Sequence, residues 1–76
     1  MKELVEFIVK KLVKNPEEVT ISSIESEDKI ILQLKVNKED MGRVIGRNGK
    51  TIKAIRTLLN IASIKLLKRV NLEVLE

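Results

Sequence analysis

An α+β fold, with three helices packed on one face of a three-stranded mixed sheet, follows from three patterns in this chain of 76 residues. Leu4, Val5, Phe7, Ile8, Val9, Leu12 and Val13 recur at helical spacing among Lys and Glu, which marks an amphipathic first helix. Ile30, Leu32, Leu34 and Val36 alternate with Ile31, Gln33 and Lys35, and Val70, Leu72 and Val74 alternate with Asn71, Glu73 and Leu75, the period of half-buried strands. Between those strands lies Gly46-Arg47-Asn48-Gly49, a turn with glycine at each end that separates a short apolar-periodic stretch from a long one.

Each element has a local cause. Asn15-Pro16 stops the first helix, because the residue before proline avoids the α region. A strand runs from Glu17 or Glu18 to about Ile24 with Val19 and Ile21 on one face; its pattern slips at Ser22-Ser23-Ile24, as a bulge or as the strand end. The polar turn Glu25-Ser26-Glu27-Asp28 then leads into the second strand, and so short a link implies an antiparallel hairpin. Asn37 is placed as an N-cap, with Asp40 at the third helical position able to reach back to it. Met41, Val44 and Ile45 face the core from a helix of about two turns. After the glycine turn, Ile52, Ile55, Leu59, Ala62 and Leu66 form one stripe of a helix reaching about Leu67. Phe7 falls in the apolar stripe of the first helix and is assigned to the core. The order is αββααβ, and two helices between the second and third strands give room for a right-handed crossover and parallel pairing.

Composition narrows the function. Residues 1–76 suit one small domain, and an apolar content of 43% is enough for a core. With no His, Cys, Tyr or Trp, the common general bases and soft metal ligands are missing, so the chain is expected to be noncatalytic, without metal or cofactor and without a small-molecule substrate. The absence of cysteine fits a reducing compartment. No apolar run reaches the ~18 residues of a membrane span, and the N-terminus does not read as a signal peptide. The expectation is a cytoplasmic protein with no membrane partner.

Charge is unevenly placed. Arg43, Arg47, Lys50, Lys53, Arg56, Lys65, Lys68 and Arg69 contribute +8 between Met41 and Leu72, a stretch with no acid. The first forty residues carry −2 and Glu73 with Glu76 another −2, which recovers the net +4. A polyanion meets one basic half. Glycine costs nothing at positive φ and holds no Cβ against a ligand, so Gly46 and Gly49 let a second backbone come close. The following helix N-terminus, near Lys50, turns free N–H groups and a partial positive charge to the same place.

Other origins of this turn fit less well. A nucleotide-binding P-loop needs four residues between its first glycine and Gly49-Lys50-Thr51, and that position is Val44. A helix-hairpin-helix DNA-binding module also grips phosphate through a glycine turn, but it comes without flanking strands. Gly46 and Gly49 could simply cap two helices. That leaves unexplained the two large polar residues between them and the cations at Arg43, Lys50 and Lys53.

Val44-Ile45-Gly46-Arg47-Asn48-Gly49-Lys50-Thr51-Ile52 resembles the GXXG segment of KH domains, and the αββααβ order is that of the type II, bacterial form. Glu3-Leu4-Val5-Glu6-Phe7-Ile8-Val9, Asn15-Pro16, Met41-Gly42-Arg43 and Ala54-Ile55-Arg56-Thr57 extend the likeness to the small single-domain KH proteins of bacteria. The resemblance implies single-stranded RNA binding, with the glycine loop clamping about four nucleotides. It places Gly46, Arg47, Asn48 and Gly49 along the sugar-phosphate chain, with Arg43, Lys50 and Lys53 as further cationic contacts. Val44, Ile45, Ile52 and Ile31 would line an apolar base groove, bordered on its far side by Lys68 and Arg69. It further implies an RNA chaperone or post-transcriptional regulator linked to cell elongation and division. Such a protein pairs with itself or with a larger protein that joins a KH domain to a second nucleic-acid-binding domain.

Phe7 is the sole aromatic, so base stacking worth roughly 1–3 kcal/mol per base is missing and one copy should bind weakly and tolerantly. A dimer raises avidity. Ala54, Leu58 and Ile61 make a second apolar line on the long helix, covered either by a second copy or by the first helix. A KH fold that serves only dimerisation is the other reading of the chain.

Overall fold

The computed structural model describes residues 1–75. Helix α1 (Lys2–Leu12) leads through a 3₁₀ turn (Pro16–Glu18) into strand β1 (Thr20–Glu25) and strand β2 (Lys29–Lys35). A second 3₁₀ turn (Lys38–Asp40) precedes the short helix α2 (Met41–Ile45). Residues Arg47–Gly49 form a non-helical turn, and helix α3 (Lys50–Leu66) and strand β3 (Arg69–Leu75) complete the order αββααβ.

The sheet order is β1-β2-β3, with β1 antiparallel and β3 parallel to β2. The register brings Ile21, Leu34 and Val74 into one row and Leu32 and Leu72 into the next. Alternation then puts these residues on the face that the helices cover. Val5 and Val9 of α1, Val44 of α2, and Ile52, Ile55 and Leu59 of α3 close over them. Leu32, Leu34 and Val44 have no solvent exposure. Burying one such leucine contributes about 1.5–3 kcal/mol, so these rows set the placement of both later helices.

Several local expectations are corrected. Pro16 opens a 3₁₀ turn rather than standing just ahead of a strand, so β1 begins at Thr20, not at Glu17 or Glu18. No bulge interrupts Ser22-Ser23-Ile24: every residue from Thr20 to Glu25 has a partner on β2, and Ile24 faces outward opposite Ile31. Phe7 is 63% exposed, with Lys11 Nζ 5.4 Å from its ring centroid. Seven apolar residues are more than one helix face can bury, and the core takes Val5 and Val9 fully. Leu66, expected in the core stripe of α3, is likewise exposed. Leu67 then ends the helix in the left-handed conformation, at φ 56°.

Asp40 also departs from expectation. Asn37 Oδ1 accepts from the Glu39 N–H at 2.9 Å, as an N-cap should, but Asp40 does not reach back to it. Its carboxylate is buried and accepts from the Lys14 and Asn15 N–H groups, both at 3.0 Å, and from Asn15 Nδ2 at 3.1 Å. Arg43 Nε lies 3.7 Å away. One side chain thus ties the end of α1 to the start of α2. Burial pushes the Asp40 carboxyl up, but the hydrogen bonds from Lys14 and Asn15 and the Arg43 charge outweigh it and hold its pKa below the usual aspartate value.

A lowered folded-state pKa means that ionised Asp40 stabilises the fold fully above the unfolded value of about 3.9, and that this contribution fades as pH falls through the lower folded-state value. Asp40→Asn should therefore lower the thermal midpoint at neutral pH, and the gap to the parent should shrink on acidification to about pH 3. A gap that stays constant across that range would contradict the assigned role.

Candidate nucleic-acid interface

The corner between α2 and α3 is built by backbone conformation. Gly46 has φ 78°, Asn48 57° and Gly49 74°, so three of four consecutive residues take positive φ. Only glycine adopts this region without penalty, and asparagine is among the few others that visit it. The Gly46 N–H closes α2 on the Gly42 carbonyl at 2.9 Å, and the Gly49 N–H returns to the Gly46 carbonyl at 3.1 Å. The chain reverses here instead of continuing as helix. Arg47 and Asn48 are exposed, and Gly46 and Gly49 half-buried.

Cations surround the corner. Arg47, Lys50 and Lys53 are exposed and form no ion pair among the described residues. Arg43, with its side chain 59% exposed, shares its charge with Asp40. No side chain caps the start of α3 and its first turn contains no acid. The positive end of the helix dipole therefore meets solvent beside Lys50, an arrangement that favours an anion.

The three glycines differ in what surrounds them. A Cβ at Gly46 would overlap the Thr51 side chain and backbone, so this glycine serves the turn and the packing of Thr51 rather than ligand approach. A Cβ at Gly49 meets only the Lys53 stem at 3.9 Å, which leaves its outer side open. A Cβ at Gly42, inside α2, would find open space beyond its own helix, and the φ there is not positive.

Other residues assigned from sequence are dispersed. Val44 and Ile52 are core, and Ile45 is half-buried against it. Ile31 lies on the opposite face of the sheet, opposite Ile24 and Asn71 in the register. These four do not form a groove, because alternation along β2 sends Ile31 away from the helices. Lys68 and Arg69 stand at the far end of α3, a helix of 17 residues and so about 25 Å long. There Lys68 Nζ lies 3.8 Å from Glu25, and the Arg69 N–H donates to the Asp28 carbonyl.

An open cleft lies instead between α3 and the free edge of β3. Arg56, Leu59, Asn60, Val70, Asn71, Leu72 and Glu73 line it. It lies between the glycine corner at one end of α3 and Lys68 with Arg69 at the other. Sequence reasoning missed it because it arises from a helix meeting a strand about fifteen residues later. One signal was present: Lys53, Arg56 and Asn60 are spaced i, i+3, i+7 and share the flank of α3 next to its core stripe.

Ala54, Leu58 and Ile61 lie on the other flank of α3. The first helix does not cover them: Leu58 is 49% and Ile61 58% exposed.

The glycine geometry sets an order of tolerance. Gly46→Ala should be strongly destabilising through overlap with Thr51, and Gly49→Ala should cost about 1–2 kcal/mol from the left-handed backbone alone. Gly42→Ala should stabilise the fold by roughly 0.5–1 kcal/mol, as expected for a helical glycine with free space around it. Chemical denaturation of the three variants checks the order, and Gly46→Ala as stable as the parent would contradict it.

Residues 2–74 match the family model described as the KH domain of KhpA/KhpB. A protein of Clostridium perfringens named RNA-binding protein KhpA is 52% identical over 75 residues, which are 99% of this chain and 100% of the relative. The protein of the same name from Borreliella burgdorferi is 49% identical over 74 residues, 97% of this chain and 90% of its own length. That from Listeria monocytogenes is 47% identical over 76 residues and the full length of both. No solved structure matches significantly. A left-handed glycine corner between two helices, in an αββααβ frame that a family model matches almost end to end, leaves one conclusion: the chain belongs to the KhpA/KhpB family of KH domains.

Proposed function

We propose that this chain binds single-stranded RNA without catalysing a reaction, and that the loop Gly46-Arg47-Asn48-Gly49 holds the sugar-phosphate backbone. One observation carries the proposal: the corner is exposed, left-handed and ringed by cations at an uncapped helix start. Gly49 gives the close approach, since its outer side is open. Arg47, Lys50 and Lys53 neutralise phosphate, with Arg43 contributing from the last turn of α2. Bases extend from the corner into the cleft between α3 and β3. Val44, Ile52 and Ile31, being buried or on the other face, take no part. The relatives' shared name, RNA-binding protein KhpA, supports the same reading.

Within the cell the chain acts in the cytoplasm as an RNA chaperone or post-transcriptional regulator linked to elongation and division. It works as a homodimer or with a larger KhpB-like protein. Exposed Leu58 and Ile61, beside Ala54, form the contact, since an uncovered apolar line on a helix favours association.

Titration of labelled single-stranded RNA across salt tests the first part. The logarithm of affinity should fall with a slope of roughly −0.7 per phosphate contact. Arg47→Asp combined with Asn48→Asp should abolish binding while circular dichroism stays unchanged; equal binding by parent and double variant would instead favour a module that only dimerises. Sedimentation of Ile61→Lys beside the parent at equal concentration tests the second part. The variant should sediment as a monomer, and an unchanged mass would rule out this contact.

A further inference from the structure

The cleft between α3 and β3 contains a hydrogen bond that bears on which base it accepts. β3 is an edge of the sheet, so one row of its backbone groups faces no neighbouring strand. Arg56 Nη2 donates to the Leu72 carbonyl at 3.1 Å, which shows that the backbone of Leu72 points to that free edge. In a parallel ladder alternate residues turn both N–H and C=O to the same side, so the Leu72 N–H opens into the cleft as well. Arg56 engages one lone pair of the edge acceptor at this position, and the donor beside it faces the cleft. Arg56 adds further N–H groups in a fixed fork. Asn60 and Asn71 carry both a donor and an acceptor and discriminate little. Glu73 already accepts from Gln33 Nε2 at 3.1 Å.

We propose that Arg56 sets the base preference of this cleft, favouring a base with two neighbouring acceptors, cytosine through O2 and N3 or guanine through O6 and N7, over adenine. The inference rests on the RNA-binding reading above and deepens it. The Watson–Crick and Hoogsteen edges of adenine each set one ring nitrogen acceptor beside the N6 amino donor. That donor would face the N–H groups of Arg56 and Leu72, donor against donor, and Arg56 already engages one lone pair of the Leu72 carbonyl. An amino group left without a partner there is costly, whereas two acceptors meet the guanidinium fork and the Leu72 N–H directly.

Arg56 is exposed, so Arg56→Leu should fold as the parent does, which circular dichroism checks. Fluorescence anisotropy with labelled oligo(C) and oligo(A) RNA then measures the ratio of the two affinities. The parent should bind oligo(C) more tightly. Arg56→Leu should weaken both through the lost charge and bring the ratio down about fivefold toward or past unity, since the carbonyl is freed and the fork removed. RNA binding with a ratio that does not change, or a parent that prefers oligo(A), overturns the role of Arg56 and leaves the RNA-binding proposal standing. Failure of the parent to bind either RNA overturns both.

Discussion

Two helices that must lie on the same sheet face, joined by only four residues, impose the constraint on which the structure depends. Val44 and Ile52 are both buried, one at each side of the corner, and neither can leave the core without opening a cavity. The chain between them must reverse sharply, and it does so through positive φ at Gly46, Asn48 and Gly49. Thr51 then fills the space a side chain at Gly46 would occupy. The shape of the corner is consequently set by backbone conformation and the Thr51 contact. What it leaves outside is a bare peptide stretch, two polar side chains and a helix start with no cap.

Polar groups of the acidic and basic halves have different work. Asp40 binds the end of α1 to the start of α2, Glu18 accepts from Asn37 Nδ2, and Glu39 accepts from Asn15 Nδ2. These acids hold elements together. Arg47, Lys50 and Lys53 have no such duties among the described residues, so their charge acts on whatever approaches. The two flanks of α3 divide in the same manner: Arg56 and Asn60 border the cleft, while Leu58 and Ile61 present an apolar line on the other side. On the proposed reading, one helix offers a surface for nucleic acid and a separate surface for association.

Local features were the most legible in the sequence. Alternation identified β2 and β3 because one face of each is buried and the other is not. Gly46 and Gly49 identified the corner because positive φ is a property of single residues. Features made by distant contacts were not legible. Nothing near Asp40 in sequence announces that its partners are Lys14 and Asn15, and a capping box was the nearest local explanation. The first helix offered seven apolar residues, but how many of them meet the sheet depends on the packing of α1, and Phe7 was left outside. The family resemblance places Ile31 in a groove, although the alternation that identifies β2 turns it to the face opposite Leu32. The cleft itself required knowing that β3 is an edge strand and that α3 lies along it.

Nucleic acid bound at the corner and the α3–β3 edge would leave untouched the open face of the sheet, where Ile24 and Ile31 lie. Mapping amide chemical shifts of isotopically labelled protein against a short single-stranded RNA decides this most directly. Perturbations are expected at Gly46 through Thr51 and along Val70 to Glu73, with the Ile24–Ile31 pair quiet. Shifts concentrated on that pair, with the glycine corner unmoved, would contradict this placement.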